Sequence, residues 1–360
     1  MRHLSKKKGS NSPFFKVLGY IPKHLEKWVF DRVGFASNFL PKTLAVSIST
    51  AARLWQKIRD ASLSNSPFFK VLGYSALWIL CTFSSCLGIS HEKYSLAICA
   101  VFQNESFFMK QWIEFHKLMG VDHFYLYNNL SSDNYQEILQ PYIEDGLVEV
   151  IQWPVETHNE KEYLFLLQLP AYNHALQIVK NTAGWAAFID LDEFLCPIRH
   201  NTMIELLEEY QDCAGIAINW QIFGTSGIEQ LTSNQLIIEN FIWKAPAWWD
   251  INKYIKILVQ PQHVDSFSNN PHYCLFKEGR FAVNSNKIPI MDLCEMQPIV
   301  IDTIRIHHYW FGDRNWFISN KLPRRKKWGV PITTQHLDAF IDSFNQEKDE
   351  SMLKFVSKLD

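Results

Sequence analysis

Apolar and polar residues follow two periods along the part of the chain that begins near residue 94. Residues 96–102 (LAICAVF) form a continuous apolar run, which is typical of a strand buried on both faces. Residues 105–120 instead have apolar residues at helical spacing and end at Gly120. The apolar positions of that helical face are Phe108, Trp112, Phe115 and Met119. The pattern predicts a strand followed by a helix.

Strand and helix patterns keep alternating up to residue 197. Residues 122–129 and 147–153 are strand patterns, separated by a helical pattern at residues 131–146. A longer helical pattern covers about residues 161–180, with a bend expected at Pro170. A fourth apolar strand, residues 184–197, then runs into acidic residues. This order predicts an α/β fold with a mostly parallel sheet, helices on both faces, and ligands at the carboxyl ends of the strands.

The second half of the chain is richer in strand patterns and loops. Strand patterns lie at residues 215–224, 253–261 and 304–311. We interpret this half as the second part of the same α/β domain.

The N-terminal region differs from the rest in charge and contains a duplication. The letters SNSPFFKVLGY occur at residues 10–20 and again at 64–74, but the sequences that follow the two copies differ, so a repeat architecture is excluded. Residues 1–70 contain 13 Lys and Arg against 3 acidic residues, and the remaining residues contain 22 against 34. We therefore expect a basic, partly helical N-terminal region before an acidic domain, which disfavours nucleic acid as a partner.

Residues 71–90 form an uncharged stretch that is long enough to cross a bilayer. Its Ser, Thr, Cys and Gly lower its hydrophobicity, so an interfacial helix and a helix packed on the domain remain alternatives. A spanning segment would keep the basic N-terminus in the cytoplasm, and the side on which the domain lies stays open. We expect membrane association, with one large domain at residues 91–330 and a C-terminal helical tail at 331–360.

The candidate chemistry lies at the end of the fourth strand pattern. Asp190 and Asp192 are separated by one residue, and residues i and i+2 of a strand point to the same face. Two carboxylates at one point suit Mg²⁺ or Mn²⁺, and such an ion can neutralise a diphosphate leaving group. An Asp-x-Asp pair is common by chance, so a capped loop is the alternative. The seven Cys residues lack CxxC spacing, which gives no indication of a zinc site.

Six sequence blocks in order resemble the GT-A glycosyltransferases, most closely those of family 92 together with bacterial relatives among family 2-like enzymes. The blocks lie at residues 100–133, 168–176, 185–197, 218–227, 256–261 and 306–321. They include AVFQNES at the first strand, QLPAYNHAL before the Asp-x-Asp strand, WAAFIDLDEFLCP itself, INWQIFGTSG, KILVQP and the IHHYW block. The resemblance implies a GT-A fold and covers roughly residues 96–321.

The resemblance also implies donor-binding residues. Asn104 and Glu105, directly after the first strand, would lie beside the nucleotide base and ribose, with helix capping as the alternative. Asn173 and His174 would line the donor pocket, with an ordinary helix face as the alternative.

A divalent cation, Mn²⁺ or Mg²⁺, is the implied cofactor. Asp190 would contact ribose or metal, Asp192 would ligate the metal directly, and His308 would be a third ligand. His307 would point away if residues 304–311 form a strand. Lys256 would meet the phosphates of the donor.

Other cations follow the last strand pattern. Lys321 and the basic run at residues 324–327 are further candidates for phosphate contacts, although such a run is usually a solvated face. The chain departs from the family at Gly312 and Asp313, where a Lys-Ser pair is expected.

The acceptor side and the general base are implied less directly. Trp220, Phe223 and Gly224 would form the acceptor wall, with burial in the core as the alternative for Trp220. Family 92 enzymes invert the anomeric configuration, which calls for a carboxylate base. Asp250 and Glu229 are the candidates, and Asp250 is our prediction.

Taken with the resemblance, these residues predict a metal-dependent transfer of sugar from a nucleotide-diphosphate donor, a UDP-sugar, to a hydroxyl of a glycan or glycolipid. A haloacid-dehalogenase-type phosphatase is disfavoured because the motif lies in about the fourth strand and continues with Glu193 and Phe194. A glycan-binding or scaffold protein that kept the fold without turnover remains the alternative.

Overall fold

The computed structural model describes residues 93–290, 295–329 and 337–359. The duplicated segments, the basic N-terminal region and the apolar stretch at residues 71–90 lie outside these residues. Within the described ranges no helix has the length and apolar character that crossing a bilayer requires. The expectation of a single-pass membrane protein is corrected to this extent: no helix of the described residues supports it.

The first half alternates strands and helices, as the periodicity predicts. In chain order, its elements are β1 (Tyr94–Phe102), α1 (Ser106–Leu118), β2 (His123–Asn128), α2 (Tyr135–Glu144), β3 (Val148–Gln152), α3 (Glu160–Glu162), a π-helical segment (Tyr163–Gln168), α4 (Leu169–Val179), β4 (Ala183–Phe188), β5 (Glu193–Pro197) and α5 (Met203–Glu208).

The second half has shorter strands joined by longer loops. Its elements are β6 (Gly215–Ile222), α6 (Ile237–Asn240), β7 (Trp243–Lys244), β8 (Ile255–Val259), β9 (Val264–Ser266), β10 (Leu275–Phe276), β11 (Ala282–Val283), β12 (Pro289–Ile290), β13 (Ile304–His308), α7 (Arg314–Trp316), a π-helical segment (Phe317–Lys321), α8 (Leu322–Lys327), α9 (Leu337–Asp342) and β14 (Glu347–Lys348). Short 3₁₀ helices cover Asp250–Lys253, Pro261–His263 and Leu353–Lys358.

The main sheet has the strand order β12-β11-β6-β8-β4-β1-β2-β3. Strand β1 pairs in parallel with β2 and β4, and β2 pairs in parallel with β3. Strand β8 runs antiparallel between β4 and β6. Strand β13 lies parallel to β6 and antiparallel to β5, which carries the sheet into the second half. The predicted α/β fold with a mostly parallel sheet is confirmed.

The continuous apolar run of β1 serves two cores. Ile98, Ala100 and Phe102 belong to the core beneath α1 and α2, whereas Cys99 and Val101 belong to the core beneath α4. Successive side chains of a strand point to opposite faces, so a strand covered on both sides needs no polar positions. This explains why β1 lacks the alternation of a half-exposed strand.

The helix before β4 is irregular one turn before Pro170. The N–H of Leu169 donates to the carbonyl of Leu164, five residues back, as in a π-helix. Proline has no N–H to continue the regular ladder, so the wider turn takes up the disrupted bonding. A π-helical segment therefore lies just before Pro170, where a bend is predicted.

The Asp-x-Asp strand of the prediction is two strands joined by a turn. β4 ends at Phe188 and β5 begins at Glu193, and the N–H of Glu193 donates to the carbonyl of Asp190 (3.1 Å). Asp190 and Asp192 therefore lie in a turn and not on one extended strand. The strand-based argument that both carboxylates face one point does not apply to this backbone.

Candidate active site

The turn between β4 and β5 is held from inside by Glu193. The backbone N–H of Asp190 donates to Glu193 Oε2 (2.8 Å), which closes the turn on itself. Helix α1 fastens the start of β5 from the other side: Trp112 Nε1 donates to the Glu193 carbonyl (2.7 Å), and His116 Nε2 accepts from the Leu195 N–H (3.1 Å). Burial raises the pKa of Glu193 well above its usual range. The sheet edge thus presents Asp190 and Asp192 on a rigid turn.

Lys256 on β8 neutralises the first of these carboxylates. Its Nζ lies 2.8 Å from Asp190 Oδ2 and 3.4 Å from Glu193 Oε2, and its side chain is 1% exposed. Burial alone lowers the pKa of Lys256, but the two carboxylates outweigh burial and hold the pKa well above its usual range. The Lys256 ammonium, which the sequence predicts at the donor phosphates, therefore pairs with Asp190 and Glu193 instead.

Asp192 has a different set of partners, which come from the second half of the chain. Its carboxylate forms an ion pair with Lys321 Nζ, and its Oδ1 lies 3.5 Å from His308 Nε2. All three side chains are about 5% exposed. Burial raises the pKa of Asp192, but Lys321 and His308 reverse this and hold it well below its usual range.

His308 reaches Asp192 because of the phase of β13. The Tyr309 N–H donates to the Asp192 carbonyl (2.8 Å), so the end of β13 is fixed against the turn. His307 points to the other face, where its ring lies 4.4 Å from that of Phe223. His308 Nδ1 and Glu193 Oε1 are 4.0 Å apart, and both are buried without a hydrogen-bond partner. His308 is therefore flanked by an acid on each ring nitrogen.

A pocket of about 220 Å³ opens beside Asp192, between the carboxyl end of β1 and the second π-helical segment. It is lined by Gln103, Asn104, Glu105, Trp316, Ser319, Asn320, Lys321, Pro323 and Arg324. Asn104 Oδ1 accepts from the N–H of Ser132 (2.7 Å), which ties the end of β1 to the loop after β2. The side chain of Glu105 forms no cap hydrogen bond to α1. The pocket thus carries one carboxyl group and two cations.

Glu105 is the acid of this pocket. Burial raises its pKa to about 8, although Arg324 Nη2 lies 3.8 Å from its Oε1 and opposes the shift. A carboxyl with this pKa is largely protonated at neutral pH, so it can donate a hydrogen bond as well as accept one.

Gly312 and Asp313, the departure from the expected Lys-Ser pair, shape the segment that carries Lys321. Gly312 has φ +56°, and a Cβ there would lie 2.9 Å from the Trp316 ring and 3.3 Å from Phe107 and Phe108. Asp313 caps the following helix by accepting the Trp316 N–H (2.7 Å) and also holds the Leu231 N–H (2.9 Å). The departure is therefore a structural turn that delivers Lys321 to Asp192.

Asp192 and His308 form a donor pair that fits a divalent cation. Oxygen and imidazole nitrogen suit Mn²⁺ or Mg²⁺, and two donors about 2.1 Å from one ion stand roughly 3 to 3.5 Å apart. The 3.5 Å between Asp192 Oδ1 and His308 Nε2 meets this condition. Among the described residues no group of three His, Cys, Asp or Glu forms a metal site, so Asp190 does not complete the predicted triad.

Comparison with known proteins identifies the family. The sequence profile of glycosyltransferase family 92 matches residues 92–351. The chain belongs to glycosyltransferase family 92.

Curated family 92 proteins from plants are its relatives in sequence. One from Ricinus communis is 26% identical over 205 residues, which cover 53% of this chain and 33% of the relative. One from Arabidopsis thaliana is 25% identical over 206 residues, with the same two shares. The chain matches about a third of the length of these relatives.

Solved structures resemble this family 92 chain only distantly. S. aureus TarS 1-349 has a TM-score of 0.33 and 11% identity, covering 69% of this chain and 70% of that one. Its complex with UDP has a TM-score of 0.31 and 12% identity, covering 46% and 47%. The assignment to family 92 rests on the match over residues 92–351.

Two residues predicted to line the donor pocket have other partners in this family 92 chain. Asn173 Nδ2 donates to the carbonyl of Phe267 (2.7 Å), and its Oδ1 accepts the Phe267 N–H (2.9 Å). His174 Nδ1 bonds the hydroxyl of Tyr127 on β2 (2.8 Å). Asn173 thus connects α4 to the end of β9, and neither side chain lines the pocket beside Asp192.

The predicted acceptor wall is only partly at the site. The Trp220 ring lies 4.5 Å from the His308 ring. It therefore flanks the group formed by Asp192, His308 and Lys321, which we call the Asp192 cluster. Phe223 is 1% exposed and packs in the core, and a Cβ on Gly224 would lie 2.1 Å from the Asn345 side chain. The prediction is corrected for Phe223 and Gly224, because strand pairing turns both inward.

Asp250, the predicted base, pairs with Lys253 and not with a residue of the Asp192 cluster. Asp250 lies on a 3₁₀ helix, its side chain is 80% exposed, and its Oδ2 bonds Lys253 Nζ (2.7 Å). This geometry does not favour the assignment of Asp250 as the base.

Glu193, Lys321 and Arg324 contribute more to the site than the sequence pattern predicts. Glu193 directly follows the Asp-x-Asp motif, which was a usable signal, because an acid inside an apolar strand needs a partner. Lys321 and Arg324 stand in a basic segment, and only the π-helical turn shows which of its cations face inward.

Proposed function

We propose that this family 92 domain transfers a sugar from a nucleotide-diphosphate donor, a UDP-sugar, to a hydroxyl group of a glycan or glycolipid, with inversion. One observation carries the proposal: a pocket at the carboxyl end of β1 is lined by Lys321 and Arg324 and adjoins the Asp192–His308 pair. In α/β sheets, ligands bind at this edge. Membership of family 92 supports glycosyl transfer as the reaction.

The two cations of the pocket suit a diphosphate. Lys321 offers a point charge, and Arg324 offers a planar guanidinium that can bond two phosphate oxygens. Their positive charge would stabilise the negative charge that grows on the diphosphate as the sugar leaves. Asn104 and Glu105, on the opposite wall, would bind the ribose or the base.

Asp192 and His308 would hold a divalent cation, Mn²⁺ or Mg²⁺. When bound, the ion supplies Lewis-acid neutralisation of the diphosphate. Lys256 keeps Asp190 in place and balances its charge, so Asp190 acts as the support of the turn. Trp220, against His308, would offer an aromatic face to the acceptor sugar.

A donor-hydrolysis assay on the full chain tests the proposal. UDP-sugars are incubated one at a time with Mn²⁺ and without acceptor, and the UDP released is measured by mass spectrometry. We expect slow release from at least one donor, and a fall of about a hundredfold or more in Asp192→Asn, because the charge that organises the diphosphate site is lost.

The control for this assay is Asp145→Asn, the same change at an exposed residue after α2, which should keep wild-type release.

Two further experiments test the predicted base and the stereochemistry. Asp250→Asn, assayed with an acceptor, tests the prediction that Asp250 is the base, and anomeric NMR of the product tests inversion. Nucleotide binding without release or transfer from any donor would identify a glycan-binding or scaffold protein. Unchanged release in Asp192→Asn would contradict the site.

A further inference from the structure

Lys321 holds the position from which a metal ion would have to approach Asp192. Its ammonium forms an ion pair with Asp192 Oδ2 while His308 Nε2 faces Oδ1, so both carboxylate oxygens have a partner. The side chains are nearly buried, and a charge pair excluded from water is far stronger than one at the surface. A cation that binds Asp192 must therefore compete with Lys321.

The same ammonium borders the pocket beside Asp192. Lys321 is one of its lining residues, together with Arg324 one turn further on. The rings of Trp310 and Trp316 lie 5.2 Å and 5.7 Å from Lys321 Nζ, and their faces can stabilise a cation that has left its carboxylate. Lys321 thus borders both the carboxylate of Asp192 and the pocket in which a diphosphate would bind.

The charge balance of the cluster opposes a metal ion that arrives alone. The buried cations Lys256 and Lys321 pair with the carboxylates of Asp190 and Asp192, one cation for each carboxylate. Glu105 adds little negative charge at neutral pH, because its pKa is raised to about 8. Two further positive charges would be uncompensated in a medium of low dielectric constant, whereas a diphosphate would compensate them.

We propose that Lys321 is an internal counter-ion that keeps divalent metal off Asp192 until a nucleotide diphosphate binds and draws the ammonium into the pocket. Metal binding then depends on nucleotide, and Lys321 serves first Asp192 and then the diphosphate. The inference rests on the proposed function only in naming a nucleotide diphosphate as the ligand that attracts Lys321. Its first half, competition between Lys321 and metal, concerns the protein without nucleotide.

The test is a Mn²⁺ titration of the full chain without nucleotide, followed by the electron paramagnetic resonance signal of free Mn²⁺. We expect Lys321→Met to bind Mn²⁺ at least about tenfold more tightly than the wild type, because removal of a contacting charge frees Asp192. Lys326→Met removes the same charge from an exposed position on α8 and should leave the affinity unchanged. The double variant Lys321→Met with Asp192→Asn should lose the gain, which places the metal at Asp192.

A second titration uses UDP without metal. Lys321→Met should bind UDP about tenfold more weakly than the wild type, since the ammonium can no longer move to the phosphates. The same substitution then has opposite effects on the two ligands, which a merely structural role would not produce. In the wild type, Mn²⁺ affinity should rise about tenfold or more when UDP is present.

Two results would overturn the inference: Mn²⁺ affinity that is equal in Lys321→Met and the wild type, or tight Mn²⁺ binding at Asp192 in the wild type without UDP. If Lys321→Met does not fold, Lys321→Gln and the wild-type titrations with and without UDP decide the question. If no variant binds UDP or a UDP-sugar, the proposed function fails, while the comparison of Mn²⁺ affinities without nucleotide still stands or falls independently.

Discussion

At the scale of single residues, Glu105 shows burial prevailing over an opposite charge. Arg324 lies 3.8 Å from the carboxyl group, yet the pKa of Glu105 is raised to about 8. The guanidinium is partly exposed, so water screens its charge, whereas the carboxyl group has lost most of its hydration. A protonated Glu105 is therefore the ground state of the pocket near neutral pH.

This pKa predicts a pH dependence of stability. The folded pKa of about 8 exceeds the usual value of 4.5, so the native state binds more protons than the unfolded state between these values. The free energy of unfolding should fall as pH rises from about 5 to 8, by on the order of 1 to 4 kcal/mol from this group. Urea unfolding of the wild type and Glu105→Gln at pH 5, 6.5 and 8 measures it.

Glu105→Gln should remove most of that slope, because the amide does not titrate. Glu137→Gln, at an exposed position of α2, is the matched control and should keep the wild-type slope. A Glu105→Gln protein with an unchanged slope would show that Glu105 does not titrate in this range.

At the scale of elements, α4 is tied to the end of β9 through Asn173. Its Nδ2 donates to the Leu169 carbonyl (3.0 Å) and to the Phe267 carbonyl (2.7 Å), and its Oδ1 accepts the Phe267 N–H (2.9 Å). Phe267 is buried against Tyr172 and Phe188. The amide therefore anchors the loop that covers one face of the sheet.

Asn173→Ala distinguishes this anchoring role from donor binding. We expect the free energy of unfolding to fall by roughly 2 to 3 kcal/mol, because three hydrogen bonds are lost and backbone groups are left unpaired. The UDP affinity should stay within a factor of about two, since the pocket is not lined by this residue. Asn181→Ala, which loses one exposed bond to Gln177, should cost well under about 1 kcal/mol. A stable variant with much weaker UDP binding would restore the donor-pocket assignment.

At the scale of the whole domain, the site joins the two halves of the sheet. The β4–β5 turn supplies Asp192, whereas β13 and the π-helical segment after it supply His308 and Lys321. Strand β13 pairs with both β5 and β6, so backbone hydrogen bonds hold the two contributions in register. A ligand that bridges Asp192 and His308 should therefore stabilise the domain as a unit.

Melting curves with UDP, with Mn²⁺ and with both test this coupling. Ligands that bind only the native state raise its stability by mass action. Because UDP should strengthen Mn²⁺ binding, the rise in Tm with both ligands should exceed the sum of the rises with UDP alone and with Mn²⁺ alone. His308→Ala should remove most of that extra gain. His307→Ala, whose ring packs on Phe223, should lower the Tm without ligand but keep the gain. The reverse result would contradict the assignment of His308 to the metal.

The sequence by itself determined the alternation of strands and helices, the mostly parallel sheet and the segment that carries Asp190 and Asp192. These follow from local periodicity, because the run of β1 and the helical face of α1 each depend on neighbouring residues in the chain. The alternation of His307 and His308 also follows from strand geometry, once β13 is assigned.

Only the tertiary structure decided which charges meet. Lys256 pairs with Asp190 and Lys321 pairs with Asp192 across 66 and 129 residues, and the partners of such pairs depend on strand order and on the π-helical turn. Phe223 and Gly224 lie inside for the same reason, since packing of β6 against β13 sets what their strand end faces. Local pattern specifies which face of an element is apolar, but long-range contacts specify what that face covers, and ion pairs form wherever the folded chain leaves buried charges adjacent.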